Sequence, residues 1–207
     1  MPRRPAVATT PRLTQGKTRM DVYLIRHTRP DVDPEVCHGR LDVPPAADFP
    51  AGAERILPVL AAGTPIVTAA ACRCRRLADH LAQALGSNAS VDDRLREMDF
   101  GRWEGRRWRD IPRAETDAWS REFWNHPPPD GESYAAMHAR VGAAWDAMLS
   151  RTAETLAVVG PIGPLRALLT IALDLPPETF VRVHLDHGGI TKLSDSTGGW
   201  RLDYSNR

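Results

Sequence analysis

The chain reads as an α/β protein, a three-layer α/β/α sandwich around a mostly parallel central sheet. Three observations predict this. Short apolar runs rich in β-branched residues, at 22–25, 65–68 and 156–159, have the length and composition of buried strands. Stretches with helical spacing lie between them, the alternation that parallel sheets require. Two of the runs, the first and the third, stop abruptly at Arg-His or at Gly-Pro, which puts punctuation at the strands' C-terminal ends.

The first strand runs straight into Arg26-His27-Thr28-Arg29-Pro30. The C-terminal end of a strand is where ligands bind in an open α/β sheet. An arginine fork beside an imidazole can hold a phosphate there and attack it. Residues 31–50, Pro-rich and containing Cys37-His38-Gly39-Arg40-Leu41-Asp42, read as a functional loop over the strand ends. Ile56, Leu57 and Leu60 give 51–62 helical spacing, and after the strand at 65–68 a second helix opens over 69–77 and ends near Gly86. Residues 95–105 form a loop dense in acids and aromatics. Trp103, Trp108, Trp119 and Trp124, four of the six tryptophans, make either core or an aromatic wall for a flat ligand. Ser133 precedes a helix with Tyr134, Met137, Val141, Trp145 and Met148 on one face. After the strand at 156–159, a helix spans about 163–173 with Pro164 in its first turn. Apolar runs near 180–185, 189–193 and 200–204 read as final strands or a hairpin.

Composition narrows the function. The 207 residues suit one domain with a full core. With 27 basic against 26 acidic residues, nothing points to nucleic acid or a membrane as partner, and no apolar stretch approaches a membrane span. Residues 1–20 carry Arg3, Arg4, Arg12, Lys17 and Arg19 without an acid and read as a disordered basic leader; 21–207 form the functional domain. Three cysteines with no CxxC indicate a reducing compartment, hence a cytoplasmic protein. Cys72 and Cys74 read as core. No metal-ligand cluster is evident, so neither a metal nor another cofactor is expected.

Five segments then fall into a known order: Leu24-Ile25-Arg26-His27; Arg73-Cys74-Arg75; Leu95-x-Glu97-x-x-Phe100-Gly101-x-Trp103-Glu104-Gly105; Gly131-Glu132-Ser133; and Val158-Val159 followed by Leu165-Arg166-Ala167-Leu168. Over about residues 21–204 this resembles the histidine phosphatase superfamily, the phosphoglycerate-mutase-like enzymes. Arg-His-Thr-Arg-Pro followed by Cys37-x-Gly39-Arg40-x-Asp42 is similar to the α-ribazole phosphatase branch, which acts late in cobalamin synthesis. The resemblance implies a phosphomonoesterase acting on a small phosphorylated metabolite, with inorganic phosphate as product. His27 would take the phosphoryl group as a phosphohistidine. Arg26 and Arg73 would hold its oxygens and spread transition-state charge. Glu97 would protonate the leaving alcohol and then activate water, its acid form favoured beside a phosphate dianion. Thr28, Arg40 and His187 complete the candidate set as substrate contacts.

The chain also departs from the family pattern. Where a second histidine usually follows the strand at 156–159, it reads Gly160-Pro161-Ile162-Gly163. Pro161 offers neither a side-chain donor nor a backbone N–H. Ala69 or Thr68 stands where a serine is frequent, and Asp33 where an asparagine is frequent. Removing one transition-state donor typically costs about 10² to 10³ in rate, so an impaired or altered phosphatase is expected. A pseudophosphatase that binds a phosphate ester or a protein is the alternative. His187, in His187-Gly188-Gly189, is the candidate substitute donor, ahead of His184, His126 and His138.

Overall fold

The computed structural model describes residues 20–151 and 153–207. The leader reading of 1–20 therefore lies outside the described residues except for Met20, which is buried against the core.

Six strands form one sheet: β1 (Asp21–Arg26), β2 (Ile66–Thr68), β3 (Ala89–Val91), β4 (Thr155–Gly160), β5 (Ile190–Ser196) and β6 (Gly199–Tyr204). Their spatial order is β3-β2-β4-β1-β5-β6. The pairs β1/β4, β2/β4 and β2/β3 are parallel, whereas β1/β5 and β5/β6 are antiparallel. The expected mostly parallel sheet is thus present, with a β5–β6 hairpin closing one edge. Val22, Leu24 and Ile25 of β1 and residues 156–159 of β4 are almost fully buried, as central strands covered on both faces must be.

The helices are α1 (Phe49–Ile56), α2 (Cys72–Leu85), α3 (Arg113–Arg121), α4 (Tyr134–Leu149) and α5 (Ile162–Ala172). The first is shorter than its spacing predicts. Pro58, which has no N–H to donate, converts its continuation into a 3-10 turn over Leu57–Val59. As expected, α2 ends at Gly86, whose left-handed φ of 63° closes the C-cap. In α4, Ser133 caps the N-terminus by accepting from Ala136 N at 3.2 Å, and Tyr134, Met137, Val141, Trp145 and Met148 all point inward.

One expectation needs correction, and one open alternative is resolved. Residues 180–185 are no strand. The chain there makes a 3-10 segment over Pro177–Arg182, started by consecutive prolines, and then a loop. Trp103, Trp108 and Trp119 are in aromatic contact, with Trp103 centroids 6.4 and 5.7 Å from those of Trp108 and Trp119, but they divide between core and wall. Trp103 is buried with Cys37 and Ile111 in a small satellite core, its indole N–H donating to Glu115 Oε2 at 2.8 Å. Trp108, 39% exposed, and Trp119 instead line a cavity beside the strand ends.

Candidate active site

Strand β1 delivers the first two groups. Its last residue, Arg26, pairs with Gly160 of β4, and His27 N donates to Gly160 O at 3.1 Å. The His27 ring is 2% exposed. Its Nδ1–H donates to the Thr28 carbonyl at 2.7 Å. A carbonyl only accepts, so this bond fixes the tautomer and leaves Nε2 with a lone pair. Burial, followed by the charge of Arg73, lowers the His27 pKa well below its ordinary value. The imidazole is therefore neutral and oriented at neutral pH, the form in which Nε2 can act as a nucleophile.

Arg73 enters from the first turn of α2. Its Nε donates to His27 Nε2 at 3.3 Å, a long contact that a phosphoryl group can displace. Its terminal amines donate to Leu41 O at 2.8 Å and Gly39 O at 2.9 Å. The loop at 31–50 is thus a clamp on this guanidinium. Asp42 secures the clamp by accepting from Cys72 N at 2.6 Å; that hydrogen bond holds its carboxyl below the usual range. Arg26 donates to Leu185 O at 2.6 Å and to His187 Nε2 at 2.8 Å. Its Nε is buried without a partner among the described residues, and burial lowers its pKa to about 10.

Glu97 comes from the loop before Phe100. Its Oε1 accepts from Met98 N at 2.8 Å and its Oε2 from Gly163 N at 3.2 Å. The loop is held from behind by Arg140 of α4, which donates to Arg94 O at 2.6 Å, Arg96 O at 2.7 Å and Glu97 O at 3.1 Å. Arg140 also pairs with Glu132. Burial by itself would raise the Glu132 carboxyl; the Arg140 hydrogen bonds and charge outweigh it and hold the group low.

Arg26, His27, Arg73 and Glu97 line one cavity of about 430 Å³. The other candidates sit around it. His187 lies against the site, its ring 5.3 Å from that of His27 and partly open to solvent. Lost hydration where it packs and the Arg26 charge pull its pKa down to about 4. Thr28 reaches the site through its carbonyl, while its methyl faces Gly52. Arg40 lies behind the site, beside Arg73 and Glu97 in a small polar pocket, and is paired with Asp99 and Glu132 at 3.0 Å each.

Arg166 is the residue that sequence reasoning missed as a site group. It projects from α5 into the same cavity, with Nε donating to Val183 O at 2.6 Å. Burial lowers its pKa and the Glu97 charge opposes this. Its signal was a lone arginine inside the apolar run Pro164-Leu165-Arg166-Ala167-Leu168-Leu169. Cys37 and Cys74 are pushed up to about 12 by burial, so neither offers a thiolate.

An imidazole lone pair, three guanidinium groups and a carboxylate around one cavity are a set that can hold an anion and accept a group on nitrogen. Residues 22–207 match the family model described as histidine phosphatase superfamily (branch 1), and the chain belongs to that family. A Hydrogenobacter thermophilus relative provisionally named a phosphoserine phosphatase is 29% identical over 124 residues, 58% of this chain and 61% of its own length. The chain thus spans less than two thirds of that relative. Among solved structures, the mycobacterial glucosyl-3-phosphoglycerate phosphatase in complex with VO3 is 25% identical with a TM-score of 0.80, covering 90% of this chain and 98% of that one. The α-ribazole phosphatase of Shigella flexneri shares the fold at 22% identity, with a TM-score of 0.83 over 91% of this chain and 96% of its own. No helix among the described residues is long and apolar enough to cross a membrane.

Proposed function

We propose that the chain is a cytoplasmic phosphomonoesterase that hydrolyses a small phosphorylated metabolite of the α-ribazole phosphate kind through a phosphohistidine. In the first step His27 Nε2 forms the N–P bond as the P–O ester bond breaks, and Glu97 gives its proton to the departing alkoxide. In the second, the Glu97 carboxylate takes a proton from water, whose oxygen bonds to phosphorus as the N–P bond breaks. Arg26 and Arg73 stabilise the charge on the phosphoryl oxygens. His187, whose Nε2 accepts from Arg26, offsets part of the missing second histidine's role by orienting that guanidinium rather than by donating from Nε2.

The single observation that carries this reading is the locked His27 tautomer, with its lone-pair nitrogen meeting Arg73 inside the cavity that Glu97 lines. Pro161, at the end of β4 with no donor, favours a second reading: binding of a phosphate ester without turnover. Steady-state hydrolysis of α-ribazole phosphate and of a generic aryl phosphate separates the two. Turnover abolished by His27→Ala supports the phosphatase. Tight binding without turnover, together with hydrolysis gained by Pro161→His, supports the second reading.

A further inference from the structure

We propose that Asn206 is a positioning residue for the anion site: its side-chain amide clasps the loop at 184–189 and, through that loop, sets the Arg26 guanidinium. The inference rests on the phosphatase reading for its place in the reaction and extends it to a residue that does not line the cavity. The β5–β6 hairpin brings Asn206 there. Past β6 the chain stays alongside the start of β5, with Arg207 N donating to Ile190 O at 3.1 Å and Ile190 N to Arg207 O at 3.2 Å. Asn206 has a left-handed φ of 56°, a conformation that asparagine tolerates better than most residues.

That backbone turn aims the amide at the loop. Oδ1 accepts from Asp186 N at 2.8 Å, and Nδ2 donates to His184 O at 2.9 Å. One contact needs an acceptor and the other a donor, so an amide satisfies both where a carboxylate would satisfy one. Gly189 closes in on the same group: a methyl built on it would lie 2.7 Å from Asn206 Oδ1.

What the loop holds is Arg26. Leu185 O, between the two clasped residues, accepts from Arg26 Nη1 at 2.6 Å, and His187 Nε2 accepts from Nη2 at 2.8 Å. The same loop fixes the backbone, with Arg26 N donating to Gly189 O at 3.1 Å and Gly188 N to Arg26 O at 3.0 Å. Arg26 Nε, buried without a partner among the described residues, is the donor left for an anion. The His184–Asp186 ion pair within the loop is exposed on both sides and adds little. Burial of the Leu185 side chain holds the loop down; the Asn206 amide fixes how its peptide groups are turned.

Asn206→Gly keeps the left-handed backbone and removes both hydrogen bonds. Calorimetry with inorganic phosphate should show Kd raised about tenfold, the size of one impaired hydrogen bond to a charged group. In wild type, packing of the His187 ring and then the Arg26 charge hold its pKa at about 4, so its NMR signals should stay still between pH 7.5 and 5. In the variant they should shift over that range as the ring leaves Arg26. Gly189→Ala, whose methyl displaces the amide, should reproduce both effects if Asn206→Gly does not fold. Wild-type phosphate affinity in the folded variants overturns the proposal, even with a lowered melting temperature, as does weakened affinity with His187 still silent. Phosphate binding needs no turnover, so both effects without hydrolysis of any ester by wild type keep the positioning role and remove the phosphatase reading instead.

Discussion

Gly163, the second residue of α5, donates its N–H to Glu97 Oε2 at 3.2 Å, and a methyl group built on it would overlap the same carboxylate. The absence of a side chain at 163 is therefore what lets the carboxylate rest on the helix N-terminus. Because the clashing atom ends a flexible side chain, Gly163→Ala should fold and displace Glu97 rather than break the fold. Misplacing a catalytic group by about 1 Å costs on the order of 10²-fold. The expected result is a fall of that size in kcat with phosphate affinity little changed; a variant with wild-type kcat would remove Glu97 from the chemistry.

Arg140 gives three of its donors to the carbonyls of residues 94, 96 and 97 while paired to Glu132. Arg140→Ala leaves the largely buried Glu132 carboxylate without that partner and the loop without its brace. Denaturant unfolding should show a loss of about 3 kcal/mol, with kcat reduced in whatever fraction remains folded. Wild-type stability in this variant would mean that the loop is held by something else.

The stability of the protein should fall in mild acid. His27 has a pKa well below the 6.5 of an exposed histidine, so below about pH 6.5 the unfolded chain binds a proton that the folded chain refuses. Stability is then full above that pH and declines as pH falls toward the folded-state pKa, by up to about 1.4 kcal/mol per unit from this group. His187 acts in the same sense but more weakly, since its ring is partly open to water. Melting temperatures of wild type and His27→Asn between pH 7.5 and 5 should diverge, the variant showing the flatter profile. Parallel profiles would contradict the burial of a neutral imidazole.

His187 accepts a hydrogen bond from Arg26 Nη2 at 2.8 Å. His187→Ala should lower both turnover and phosphate affinity, by about tenfold each, because it frees Arg26 and removes a group beside the anion. Unchanged rate and affinity would reduce His187 to a surface turn residue. Pro161→His makes the opposite change at the end of β4 and should raise kcat by about 10².

Much of this was legible in the sequence, and the exceptions have physical causes. Arg26 and His27 could be read as an anion-holding pair because they close a strand, whereas Arg73 and Glu97 entered through the resemblance to the family's ordered motifs; the structure brings all four to one cavity. Helix α3 was missed because Arg113–Arg121 is strongly polar and buries none of its residues fully, so no apolar run marks it. Strand β3 was missed because Ala89–Val91 is three residues at a sheet edge, partly exposed throughout. Arg166 could not be placed in the cavity from spacing, because that depends on how α5 lies beside β1. Nor could the split of the tryptophans be seen: Trp103 and Trp108 are five residues apart, yet one is core and the other wall.

The most direct measurement is rapid quenching of the protein with a radiolabelled phosphomonoester, followed by mapping of acid-labile, base-stable phosphate. Label confined to the peptide containing His27, absent in His27→Ala and formed at least as fast as product, is the predicted result. Hydrolysis without phosphate on His27, or label on another residue, would contradict the account.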